Sequence, residues 1–85
     1  MEHVLKLLPN NNKTNGLSIE RCKNISVQNS TSTWLILRLK KINGDESSFP
    51  IKREDNVEMD LFNFGTAWLE YGDIEKEMDV KIILG

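Results

Sequence analysis

The chain has 85 residues, a net charge of −2, one cysteine (Cys22) and one histidine (His3). A single cysteine excludes an internal disulfide, and one Cys with one His cannot supply the four ligands of a structural zinc site. The length suits one domain, residues 1–85, whose stability must come from a tight apolar core or from association with other chains.

Residues 3–8 read as a first strand closed by Pro9, which cannot donate a ladder hydrogen bond. Residues 10–16 form a polar Asn-rich loop. Leu17 to Cys22 alternates with Leu17 and Ile19 on one side, and Ile25-Ser26-Val27 resumes the pattern before a second loop at 28–32. The clearest signal is Trp34 to Ile42. Leu35, Leu37 and Leu39 recur every second residue with Arg38 and Lys40 between them, and Asn43-Gly44 follows. That period belongs to a strand with one buried face. Asn-Gly can take positive φ at both positions of a tight turn, which predicts a hairpin over 34–52. Its return arm carries Phe49 and Ile51 around Pro50, which predicts an edge strand.

Residues 57–71 carry two patterns. Val57, Met59 and Leu61 alternate as in a strand, whereas Val57, Leu61, Phe64, Trp68 and Tyr71 have the spacing of a helix face. Asn63, Gly65 and Thr66 oppose a helix. Strands are favoured, with a bend at 62–65 where Gly65 serves as a bulge or corner, then a strand over 66–71. A turn at Gly72-Asp73 precedes a last strand with Met78, Val80, Ile82 and Leu84 on one side. The expected fold is therefore all-β: a small antiparallel β-sandwich or barrel of about seven strands. The alternative is a small α+β domain with a helix at 57–71.

Charge is unevenly distributed. Residues 1–42 hold seven Lys/Arg against two Glu, a net of +5, and residues 43–85 hold four Lys/Arg against eleven Asp/Glu, a net of −7. The plain explanation is that strands from the two halves are neighbours whose exposed charges pair across a sheet. The sharper one is a dipolar particle that stacks on copies of itself or docks a charged partner.

No constellation in the chain carries chemistry. His3 and Cys22 offer no third group for nucleophilic catalysis, and Cys22 reads as a small half-buried residue. Glu75, Glu77 and Asp79, on one face if 75–84 is extended, and Glu58 with Asp60 read as solvated strand faces. The glycines are isolated, so no phosphate cradle is predicted. No catalytic, cofactor or metal residues are expected, and the protein is expected not to be an enzyme. Trp34, Arg38, Lys40 and Lys41 form a basic ridge edged by an aromatic ring, which suits a single-stranded nucleic-acid binder. The domain-wide basic bias of such binders is missing, which argues against that role.

No basic flank and apolar stretch of a signal peptide is visible, and no run is long enough to span a bilayer. A virion or cytoplasmic location, without export through a signal peptide, is the expectation, and no membrane partner is. Trp34 and Ile36 flank Leu35 on the opposite face, and Phe62, Phe64 and Trp68 oppose Leu61, Ala67 and Leu69 if the segment is extended. Apolar residues on both faces of two segments exceed what a lone small domain covers. Trp34, Ile36, Phe62, Phe64 and Trp68 are thus the predicted interface or core anchors. Arg38, Lys40, Lys41, Glu75, Glu77 and Asp79 are the candidate charged contacts. The partner is a second copy, another protein, or both.

In general character the chain resembles small structural proteins of bacteriophage particles, being short, Asn- and Lys-rich and β-patterned. That resemblance implies a virion accessory subunit (capsid, neck or tail) that acts through oligomerisation. A small inhibitor or adaptor of the anti-defence type, binding a partner through its acidic C-terminal half, is the second reading.

Overall fold

A computed structural model describes residues 1–85. It contains eight strands and no helix: β1 (Glu2–Leu7), β2 (Leu17–Ser18), β3 (Asn24–Gln28), β4 (Leu35–Lys41), β5 (Glu46–Ile51), β6 (Asn56–Asp60), β7 (Phe64–Tyr71) and β8 (Met78–Leu84). Two antiparallel four-stranded sheets form a β-sandwich. Sheet A has the order β1-β8-β3-β6, and sheet B has the order β2-β7-β4-β5. The pairs β4·β5, β3·β6, β2·β7 and β1·β8 are nested, as in one long hairpin that is rolled so alternate pairs fall in opposite sheets. This is the double-sheet jelly-roll arrangement.

Alternation in sequence becomes burial in space. Leu35, Leu37 and Leu39 are fully buried, as are Leu69 beside them on β7 and Ile25, Val27, Val80 and Ile82 from the facing sheet. Each such side chain withdrawn from water contributes about 1.5–3 kcal/mol, which makes the two inner faces the main source of cohesion. Residues 57–71 form most of β6 and the whole of β7 rather than a helix. The register between β4 and β7 shifts at Lys40/Lys41, so Lys40 faces Thr66 and Lys41 faces Phe64 with Gly65 as the extra residue. Gly65 is thus the bulge that the sequence suggests. β7 begins at Phe64, earlier than the expected 66, because pairing resumes beyond the bulge.

Pro50 sits on an edge strand, and the register explains why it is tolerated. Lys41 donates to the Asp45 carbonyl (2.7 Å), so Lys41/Asp45 is a hydrogen-bonded pair. Such pairs alternate along an antiparallel ladder, which turns the nitrogen of Pro50 toward the open edge where no donor is needed.

Three local expectations are corrected. The hairpin turn is a three-residue loop, Ile42-Asn43-Gly44, closed by a Gly44 N–H to Lys41 carbonyl bond (2.9 Å). Only Gly44 has positive φ, at 100°. The Asn43 side-chain oxygen accepts from the Asp45 N–H (3.0 Å), a local bond that holds Asn43 itself in a right-handed turn. The run 17–22 is a strand only over Leu17–Ser18, since the chain turns at Glu20-Arg21 with Arg21 at φ 68°. Ile19 is still buried. Finally, β8 starts at Met78, so Glu75 and Glu77 precede the strand; Glu77 still meets the same Lys6 as Asp79, whereas Glu75 lies apart from them.

Candidate protein-interaction face

The outer face of sheet B gathers five of the eleven residues that the sequence singles out: Trp34, Ile36, Arg38, Lys40 and Trp68. Ile36, Arg38 and Lys40 leave β4 on the side opposite the three leucines. Register places Pro50 and Glu70 beside Ile36, Ser48 and Trp68 beside Arg38, and Glu46 and Thr66 beside Lys40. Trp34, just before β4, and Ile36 are 50% and 40% exposed. They line a shallow depression of about 480 Å³ together with Glu70, Tyr71, Gly72, Asn12 and Lys13. Lys13 also borders a second depression of about 430 Å³, whose walls include Lys40, Thr66 and Trp68. The result is an aromatic and aliphatic patch at one end of the face and lysines at the other.

The segment 12–16 makes the rim of both depressions, and hydrogen bonds fix it to β7. Tyr71 donates to the Asn12 carbonyl (2.9 Å) and Thr14 donates to the Leu69 carbonyl (2.9 Å). The buried Thr14 hydroxyl then accepts the Leu69 N–H (3.0 Å). The Tyr71 hydroxyl reaches the other sheet, accepting from Leu8 N–H (2.9 Å) and donating to the Leu8 carbonyl (3.0 Å). Asn12 and Lys13 are unmarked in the sequence because nothing in a polar loop shows which strand edge it will follow, and Glu70 because only the pairing of β7 with β4 brings it beside Arg38.

Electrostatics across the face are largely settled internally. Arg38 Nη2 donates to Glu46 Oε1 (3.1 Å), and Arg38 Nε lies 3.8 Å from Glu70 Oε2. Trp68 Nε1 donates to the same Glu70 carboxylate (3.1 Å). Arg38 Nε is shielded from solvent and makes no hydrogen bond. Arg38 is thus held between two carboxylates, and Lys40 and Lys13 are the exposed cations of this face.

The other predicted residues are dispersed. Phe64 packs against the core cluster and does not face away from it. The Lys41 ammonium sits 5.7 Å from its ring centroid, a cation–π contact that takes Lys41 off the basic ridge. Phe62 is 76% exposed at the far end of the sandwich, beside the hairpin tip at Ile42 and Asn43. Glu77 and Asp79 converge on Lys6 (2.8 and 3.3 Å), and their hydrogen bonds, that of Glu77 first, raise the Lys6 pKa from its ordinary value. Glu75 lies apart, in the loop beside Asp73 and Lys76.

No protein-family model matches this chain, and no curated protein matches it in sequence. Its fold does have solved counterparts. The cupin domain of CENP-C from Drosophila melanogaster superimposes with a TM-score of 0.61 at 14% identity, over 100% of this chain and 60% of that one. CENP-C of Drosophila melanogaster, solved bound to CAL1, superimposes with a TM-score of 0.62 at 14% identity, over 100% of this chain and 65% of that one. This chain therefore spans under two thirds of the length of either neighbour. Cupins are double-sheet jelly rolls, which agrees with the nested strand order. The likeness is one of fold.

Proposed function

We propose that the chain is a non-enzymatic interaction module that docks another polypeptide, identical or different, on the outer face of sheet B. The observation that carries this reading is the pairing of Trp34, just before β4, with Ile36 on that central strand, half-exposed over a depression that a side chain can enter. Aromatic anchors set in a shallow recess and ringed by polar groups are the usual energetic centre of a protein interface. The neighbour of like fold that is solved bound to a protein, CAL1, supports the reading by analogy. We place the module in the cytoplasm or a particle, where the free thiol of Cys22 stays reduced. A role as a virion subunit draws on the general character of the sequence, and the structural neighbours add no support to it.

Photocrosslinking tests the docking face. With Ile36→p-benzoylphenylalanine in the cells that make the protein, irradiation should yield a covalent adduct with one discrete polypeptide, identified by mass spectrometry. The same probe at Glu58, on the outside of sheet A, should yield none. Equal adducts at both positions, or none at position 36, would end the proposal.

A further inference from the structure

The sandwich has four sheet edges, and three are blocked. β5 carries Pro50 with its nitrogen facing outward. β2 is two residues long. β6 presents Asn56, Glu58 and Asp60 outward, because the Leu61 to Lys23 and Asn29 to Asp55 main-chain bonds fix the alternate residues toward β3. Two β6 edges meeting antiparallel about Glu58 would set Glu58 against its own copy, and like charges directly opposite oppose pairing.

β1 is different. It is six residues long, without proline, at the outer end of sheet A. Leu84 donates to the Met1 carbonyl (2.8 Å), so Met1/Leu84 is a hydrogen-bonded pair. By alternation His3, Leu5 and Leu7 bond to β8, and the N–H and C=O groups of Glu2, Val4 and Lys6 point to the open edge. The next outward position, Leu8, is closed off because the Tyr71 hydroxyl takes both of its main-chain groups. The open window is thus Glu2, Val4 and Lys6.

We propose that this window binds a second copy of the chain, with the two β1 strands antiparallel and Val4 facing Val4 of the second copy across a two-fold axis. In that register Glu2 of each copy lies opposite Lys6 of the other, so sequence, charge and main-chain polarity agree. Each of these pairings is of the type that exchanges both hydrogen bonds. Val4, 53% exposed, covers its counterpart on the outer face. Lys6 is flanked by Asp79 at 3.3 Å and Glu2 by Lys81 at 3.7 Å, so charges alternate in sign from one β8 across the joint to the other. A head-to-tail joint of β1 to β6 in the matching register would instead oppose Glu2 to Asp60. The two four-stranded sheets would become one continuous sheet of the dimer. This inference rests on the reading of the chain as an interaction module but uses the opposite sheet from Trp34.

Sedimentation equilibrium across micromolar to near-millimolar concentrations reads the outcome. Wild type should form dimers and nothing larger. Val4→Pro removes only the outward donor, since the N–H of Val4 makes no bond to β8. It should keep the β-sheet circular-dichroism spectrum and weaken the dimer at least about tenfold, two main-chain bonds being lost per dimer. Glu2→Lys and Lys6→Glu should each weaken the homodimer. Mixed in equal amounts they should give heterodimers in native mass spectrometry, because each new charge then faces its opposite. A monomeric wild type, or mixed variants that fail to pair, overturns the proposal. A dimer that Val4→Pro leaves intact and Ile36→Lys breaks overturns this edge while leaving the sheet-B face standing.

Discussion

Asn29 stands 1% exposed in what reads as an ordinary polar loop. Its amide protons go to the carbonyls of Thr33 (3.0 Å) and Lys52 (2.9 Å), and its oxygen accepts from the Thr31 N–H (3.1 Å) and hydroxyl (2.6 Å). One side chain thereby ties the β3–β4 loop to the end of β5. Asn29→Leu keeps the volume and strands those partners, so urea denaturation should show a loss of about 2–4 kcal/mol. A loss below about 1 kcal/mol would mean that water satisfies the freed groups. Tyr71→Phe removes the hydroxyl that satisfies both main-chain groups of Leu8, and a loss of about 1–3 kcal/mol is expected in the same assay. Neither role is legible in sequence. Asn29 and the exposed Asn11 sit in similar polar runs, and what separates them is which distant carbonyls arrive alongside.

Strands were legible wherever one face is buried and the other wet. Leu35-Leu37-Leu39 and Val80-Ile82-Leu84 show this, because the two-residue period is a direct record of the solvent boundary. Where the chain leaves a strand for local hydrogen bonds, the period misleads. The run 17–22 alternates in composition but turns after Ser18, and 75–77 alternates but precedes β8. The hairpin shows a finer form of the same limit. Asn43-Gly44 marks the turn, yet its type depends on the Asn43 side chain bonding the Asp45 N–H. Two glycines test these assignments. Gly44 has φ 100° and nothing within 4 Å of a Cβ, so Gly44→Ala meets backbone strain alone. Thermal unfolding should register a loss of about 1–2 kcal/mol. Gly65 in the bulge does not have positive φ, and an added Cβ would touch Ile42 at an ordinary 3.6 Å. Gly65→Ala should stay within about 0.5 kcal/mol of wild type. A large cost at Gly65 and none at Gly44 would reverse the two assignments.

At the scale of the whole molecule, every strand pairing joins a strand before Asn43 to one after it: β1·β8, β2·β7, β3·β6, β3·β8, β4·β5 and β4·β7. The five ion pairs, Lys6–Glu77, Lys6–Asp79, Arg38–Glu46, Arg38–Glu70 and Lys81–Glu2, cross the same divide. The +5 and −7 halves are therefore neighbours throughout the fold, and the charge asymmetry is a trace of this topology in the sequence, beside the hairpin marked by Asn43-Gly44. Exposed pairs of this kind contribute little apiece, so they guide register more than they supply stability. The nesting has a sharper consequence. A peptide of residues 1–42 contains β1 to β4 and none of their partners, and a peptide of residues 43–85 contains β5 to β8 in the same condition. Neither can build a ladder, because sheet A needs β8 between β1 and β3 and sheet B needs β7 between β2 and β4. Each peptide alone should give a disordered circular-dichroism spectrum. Mixed in equal amounts they should recover the β-sheet signal as a one-to-one complex, with opposite net charges speeding their encounter and added salt slowing it. Folded structure in either peptide alone would show that the halves hold local pairings that the rolled hairpin lacks, and the nested order would have to be abandoned.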